Sequence, residues 1–102
     1  MDRKKSKLIR KLKKFKKQNK ISKMYLFGSM ASGKMHKWSD VDLIVVANRF
    51  KGKGLLDRSP NLYISWNLDY PVDFLCYTPE EFNKLKKQIT IVKEAVEHGI
   101  EI

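Results

Sequence analysis

Asp40 and Asp42 stand two residues apart at the head of an apolar, β-branched run, "DVDLIVVAN". On a strand this spacing points both carboxylates to one face. Two carboxylates side by side repel one another unless a cation lies between them, and their oxygens suit hard Mg²⁺ or Mn²⁺. Asp73, early in the run "VDFLCYT", is a third carboxylate for the same point if its strand lies beside the first, at about 4.8 Å; Asp69 competes with it for that role. Three carboxylates around one point can hold two metal ions, which activate an attacking hydroxyl and brace the phosphates of a nucleotide during in-line displacement.

Upstream lies a glycine loop, "LFGSMASGKM", residues 26 to 35. It scans as a phosphate-binding P-loop, but that pattern needs a Ser or Thr after Lys34 to hold Mg²⁺, and the chain has Met35. Asp40 and Asp42 are the candidates for the missing metal ligand. Only Ser29 to Ser39 separate the two apolar runs, too short a span for a parallel crossover with a full helix. The two strands are therefore expected to run antiparallel around a loop and a brief helix. Ser39 reads as the turn residue that sets Asp40.

The remaining chemistry-bearing residues have plainer readings. His36 and His98 have no partner at metal-ligand spacing, which leaves an exposed loop residue and a helix end. Trp38 and Trp66 could stack on a base, but core or interface packing is the favoured reading for each. Cys76, the sole cysteine, sits among Phe74, Leu75 and Tyr77, so it reads as a reduced, buried thiol and not a nucleophile.

The elements that must position these residues follow from periodicity. Leu8, Ile9, Leu12 and Phe15 form one narrow apolar stripe on a helix over residues 3 to about 18. "KMYLF" reads as a short strand ended by Gly28, "DVDLIVVAN" as a buried strand, and "VDFLCYT" as a third. Residues 49 to 71 are the least legible: a short helix, a strand at "LYISW" or a mobile flap all fit. Thr78, Pro79 and Glu81 form a capping box opening a helix that runs to about Lys87. A second helical piece starts at about Thr90 and stops near His98-Gly99. The sum is one α/β (α+β) domain over residues 1–102, a small mixed sheet carrying the carboxylates on one side with helices packed on the other.

Charge is uneven along the chain. Of 22 Lys and Arg, 12 lie in residues 1 to 23, against Asp2 alone; the rest of the chain is neutral, so the first segment holds the whole net charge of +11. No apolar run approaches the roughly 18 residues of a membrane span, and the basic start leads into no signal-peptide core. The expectation is a cytoplasmic protein. For residues 3–23, an acidic protein partner and nonspecific RNA contact rank equally, with a solvated face close behind.

"GSMASGKMHKWSDVDLIVV" resembles the Gly-Ser, then Ser-Asp-x-Asp signature of the DNA polymerase beta-like nucleotidyltransferases, and the length is similar to their minimal nucleotidyltransferase (MNT) branch. The likeness is sharpest over residues 24–46 and looser through "PVDFLCYTPEEF" to "EHGIEI". It implies the nucleotidyltransferase fold. It also implies that Gly28 and Ser29 grip the triphosphate of ATP through N–H groups and a hydroxyl, with Lys34 and Ser39 beside them. Asp40 and Asp42 would ligate two Mg²⁺ ions, and Asp73 would complete the site and accept the acceptor's proton. Where many members carry arginines this loop has Met30 and Ser32, with Lys34 and Lys37 as compensating charges. The resemblance further implies an antitoxin that transfers AMP from ATP onto a tyrosine of a HEPN-domain ribonuclease toxin. The alternatives are a noncatalytic antitoxin that blocks its partner by binding and an RNA-directed transferase; oligomeric state stays open.

Overall fold

The computed structural model describes residues 3–32 and 40–102. Helix α1 spans Arg3–Gln18, with Leu8, Leu12 and Phe15 buried and Ile9 half-buried at the edge of the stripe. It ends on a reversed turn in which the Ile21 N–H donates to the Lys16 carbonyl (3.0 Å) and the Lys20 N–H to the Lys17 carbonyl (3.2 Å). Lys20 holds the left-handed position of this turn, at φ 52°, where glycine is the usual occupant.

Strand β1 (Lys23–Phe27) pairs antiparallel with β2 (Val41–Val46), Tyr25 opposite Ile44 and Phe27 opposite Asp42. The short span between them thus makes the antiparallel return that its length requires, and a single 3₁₀ turn, Gly28–Met30, begins it. Strand β3 (Val72–Tyr77) lies parallel to β2. Parallel neighbours need a long crossover, and residues 47–71 supply it. They contain 3₁₀ turns at Asn48–Phe50 and Leu55–Asp57 and helix α2 (Pro60–Ser65). The "LYISW" segment is therefore helical over most of its length and not a strand. Pro60 in the first turn favours that outcome, and Leu62 is the residue α2 buries.

The chain then enters α3 (Pro79–Leu85) through the expected capping box. The Thr78 hydroxyl accepts from the Glu81 N–H (3.2 Å), and the Glu81 carboxylate accepts from the Thr78 N–H (2.9 Å). Helix α4 (Ile91–His98) begins at Thr90, whose hydroxyl accepts from the Lys93 N–H (3.3 Å). A two-residue strand β4 (Ile100–Glu101), not expected from the sequence, pairs antiparallel with β1 and gives the sheet order β3-β2-β1-β4. Two residues are too few to show a period.

Helices cover both faces of the sheet, not one. Leu43 and Val45 of β2 pack with Leu8, Leu12 and Phe15 of α1 and Leu62 of α2. Ile44 and Val46 pack on the opposite face with Phe82 of α3 and with Val92 and Ala95 of α4. The reason lies in β2 itself: from Leu43 to Val46 it is apolar on both faces, so each face needs a cover.

Arg58 fastens the crossover to the rest. It is 8% exposed. Its guanidinium donates to the Lys53 carbonyl (2.9 Å), to the Cys76 carbonyl (3.1 Å) and, with two nitrogens, to the Glu81 carboxylate (2.6 and 3.1 Å). Among the described residues no helix is long and apolar enough to cross a membrane.

Candidate active site

The antiparallel pairing brings the C-terminal end of β1 to the N-terminal end of β2, and the parallel pairing sets the start of β3 beside it. Gly28, Asp40, Asp42 and Asp73 consequently meet at one end of the sheet. Asp42 and Asp73 are register partners across β2 and β3. Alternation puts both on the face of Ile44 and Leu75. Asp42 is half-buried, whereas Asp40 and Asp73 are exposed.

Burial first, then the charge of Asp73, then that of Asp40 push the Asp42 carboxyl above its ordinary value of 3.8. Asp42 is therefore the point on which the charges of Asp73 and Asp40 bear, and a cation there would relieve it. Among the described residues no group of three or more His, Cys, Asp or Glu side chains is gathered closely enough to cage a metal ion. The arrangement is a register-matched pair, Asp42 and Asp73, with Asp40 felt at Asp42 as a third charge. Its all-oxygen chemistry matches a hard divalent cation.

Gly28 fits against this pair with no room to spare. It holds φ +77°, and a Cβ placed on it would lie 2.5 Å from Asp42 Oδ2. The positive φ favours glycine, and any added methyl group would have to push the Asp42 carboxylate aside. The loop backbone thereby comes within reach of a carboxylate, which is how a phosphate gripped by the loop and a cation held by Asp42 could share the same space. Ser29 follows, exposed, in the 3₁₀ turn. The Ala31 and Ser32 N–H groups donate to the Gly28 carbonyl (3.1 and 3.3 Å), and the Ser32 hydroxyl donates to the Ser29 carbonyl (2.9 Å).

Two residues that the sequence reading did not assign to the site hold this turn. Met30 is fully buried and packs into the core with Leu8 and Leu26, so its side chain anchors the loop and leaves phosphate contact to its neighbours. A lone large apolar side chain in a stretch of Gly and Ser was the available signal. Lys5 of α1 donates to the Ala31 carbonyl (2.7 Å); nothing sets it apart in a run of lysines. Lys34 and Ser39, assigned to the nucleotide from the sequence, lie outside the described residues, as do Met35, His36, Lys37 and Trp38.

The structure also places the competitors. Trp66 makes edge contacts with Phe15 (5.3 Å) and Phe74 (5.8 Å) and donates its indole N–H to the Tyr70 carbonyl (2.8 Å), so it is a packing residue. Burial pushes the Cys76 thiol up to about 11, with Arg58 and Arg49 opposing, which leaves it protonated and inert at neutral pH. His98 is exposed at the end of α4.

The profile of the nucleotidyltransferase domain family matches residues 6–98. The chain belongs to that family. Its fold is similar to the crystal structure of a "putative nucleotidyltransferase" from Sulfolobus solfataricus, at a TM-score of 0.61 and 21% identity over 80% of this chain and 77% of the other. At that identity the likeness speaks to the fold. No curated protein matches the chain. Nucleotidyl transfer is thus the general chemistry of this family member.

Proposed function

We propose that this nucleotidyltransferase domain moves AMP from ATP to a hydroxyl of a separate macromolecule, a tyrosine of a HEPN-domain toxin, and so acts as an antitoxin. The observation that carries the catalytic part is the meeting of Gly28 with Asp42 Oδ2 beside the register partner Asp73. The partner and its tyrosine rest on the resemblance of the Gly-Ser and Ser-Asp-x-Asp signature.

Gly28 and Ser29 hold the triphosphate, the Ser29 hydroxyl and loop N–H groups donating to its oxygens. Asp42 and Asp73, with Asp40 moving in and phosphate oxygens completing the set, would hold Mg²⁺, which when bound neutralises phosphate charge and lowers the pKa of the attacking hydroxyl. The acceptor oxygen forms a bond to the α-phosphorus as the bond to the bridging oxygen breaks. Pyrophosphate leaves, and the acceptor's proton passes to Asp73. The protein's own work is positioning and charge neutralisation. Asp73, exposed at the strand end, is open to an acceptor arriving from outside.

The test is incubation with labelled ATP, Mg²⁺ and the co-purified partner, comparing wild type with the double variant Asp40→Asn/Asp42→Asn. Label on the partner with wild type only is the expected result. Equal labelling by both proteins removes these carboxylates from the chemistry. Partner silenced equally by the unreactive variant would mark the noncatalytic antitoxin.

A further inference from the structure

Helix α1 carries ten Lys and Arg and no acidic residue in 16 positions. At about 1.5 Å rise per residue it is about 24 Å long, which gives one cation per about 2.4 Å of axis. A nucleic-acid strand carries one phosphate per about 3.4 Å of helix axis. The helix therefore exceeds a single strand in charge density. Only Leu8, Leu12 and Phe15 are fully committed to the core; Arg3, Lys4, Lys7, Arg10, Lys11, Lys13, Lys14 and Lys17 are exposed. Among the described residues no carboxylate pairs with Lys7, Arg10, Lys11, Lys13, Lys14 or Lys17. Self-repulsion of this kind is a standing cost that a polyanion would remove.

The exposed face favours nucleic acid over an acidic protein. It presents no apolar or aromatic side chain, whereas the centres of protein interfaces are depleted of lysine and enriched in aromatic residues. Where the helix meets the segment after α2, a cleft of about 230 Å³ opens between Lys11, Lys14 and Gln18 on one side and Asn67 and Leu68 on the other, with the buried Phe15 ring at its base. An unpaired nucleotide can enter such a cleft while its flanking phosphates stay on the lysines. The Asn67 amide, a donor and an acceptor, suits a ribose 2′-hydroxyl, the group that distinguishes RNA from DNA.

We infer that α1 and the cleft at Asn67 form a docking surface for single-stranded RNA, bound through its phosphates and one ribose and without reading of base sequence. The surface is separate from the carboxylates, so it holds or fails independently of nucleotidyl transfer. It is also linked to them: Lys5, in the first turns of α1, is tied to the catalytic loop at Ala31, so RNA lying along the helix has one end directed to the Gly28 turn.

The test is fluorescence anisotropy with a short labelled RNA and a DNA of the same sequence, titrated at several salt concentrations. Wild type is expected to prefer RNA and to lose affinity linearly in log salt. The variant Arg10→Gln/Lys11→Gln/Lys14→Gln should bind at least about tenfold more weakly, its salt slope flattened by about 2, three contacts at about 0.7 each. Asn67→Ala should erase the preference for RNA. Lys84→Gln/Lys86→Gln/Lys87→Gln, equal in charge change but on α3 and just beyond it, should bind as wild type does. An equal loss in that control, equal affinity for RNA and DNA in wild type, or displacement of RNA by polyglutamate at equal charge overturns the assignment. Circular dichroism of each variant separates lost binding from lost fold.

Discussion

The two ends of β3 handle charge in opposite ways. At its start Asp73 stands in register with Asp42, and burial, then like charges, raise the Asp42 carboxyl. At its far end the Cys76 carbonyl accepts from Arg58, whose guanidinium also grips Glu81 with two nitrogens, and Glu81 closes the capping box of α3. The bond to Arg58, then that to the Thr78 backbone, hold the Glu81 carboxyl below its ordinary value. At this second end Arg58 and Glu81, and Lys51 and Glu80, pair opposite charges within the chain. At the first the carboxylates face one another, which costs stability and leaves the site ready for a ligand from outside. The chain can carry such a conflict because no buried side-chain nitrogen or oxygen lacks a partner among the described residues.

The largest effect is expected at the conflicted end. Asp42→Asn should lower nucleotidyl transfer by about 100-fold or more, since it removes a charge from the point of convergence. Without divalent cation the same variant should melt above wild type, as repulsion is relieved. Added Mg²⁺ should raise the melting temperature of wild type only. A variant that melts below wild type without cation would mean that the first end is not strained.

At the satisfied end Arg58→Ala should cost about 2 kcal/mol in urea unfolding. It breaks a buried pair, but Glu81, 42% exposed in its side chain, can turn to water. Gly28→Ala comes next, at about 1–2 kcal/mol from its left-handed backbone. Its added methyl group should also displace the Asp42 carboxylate, so activity should fall further than stability.

Acid titration separates the two ends by sign. Where a carboxyl is depressed on folding, the unfolded chain binds more protons over the window below the ordinary Glu value of 4.5. Stability from Glu81 is thus present above that window and lost as pH falls through the folded value. Asp42 is raised, so over a window above 3.8 the native state binds more protons, and its contribution falls as pH rises. Glu81→Gln should flatten the acid loss measured by thermal melts, and Asp42→Asn should steepen it. The smallest effect is Lys20→Gly, at a turn that holds neither the carboxylates nor the Arg58–Glu81 pair. Relief of φ 52° should gain about 0.5–1 kcal/mol, and no change in activity.

Legibility in the sequence followed the range of the interactions. The β1 and β2 segments, the capping box and the stripe of α1 rest on spacings of two to four residues, and the structure has them close to where those spacings put them. The pairing of Asp42 with Asp73 was conditional on strand adjacency, because no local pattern specifies which strands are neighbours. Helices on both faces were implicit in the unbroken apolar run Leu43–Val46, which alternation arguments undervalue. Arg58 was missed because its partners, Lys53, Cys76 and Glu81, are up to 23 residues away, and an arginine near Gly54 and Pro60 looks like any loop cation. Met30 stands where an arginine would face phosphate; its burial makes it the anchor of the Gly28 turn.

Strand β4 bears on the order of events during folding. Ile102 donates its N–H to the Met24 carbonyl (2.9 Å), and the Lys16 ammonium donates to the Ile102 carbonyl (3.0 Å) across 86 residues of chain. The inner strand β1 therefore gains its second neighbour only once residues 100–102 have docked. Until then its edge beside α1 is open and able to pair with another chain. Contacts so distant in sequence also slow folding. A chain truncated before Gly99 should therefore be the form most prone to aggregate.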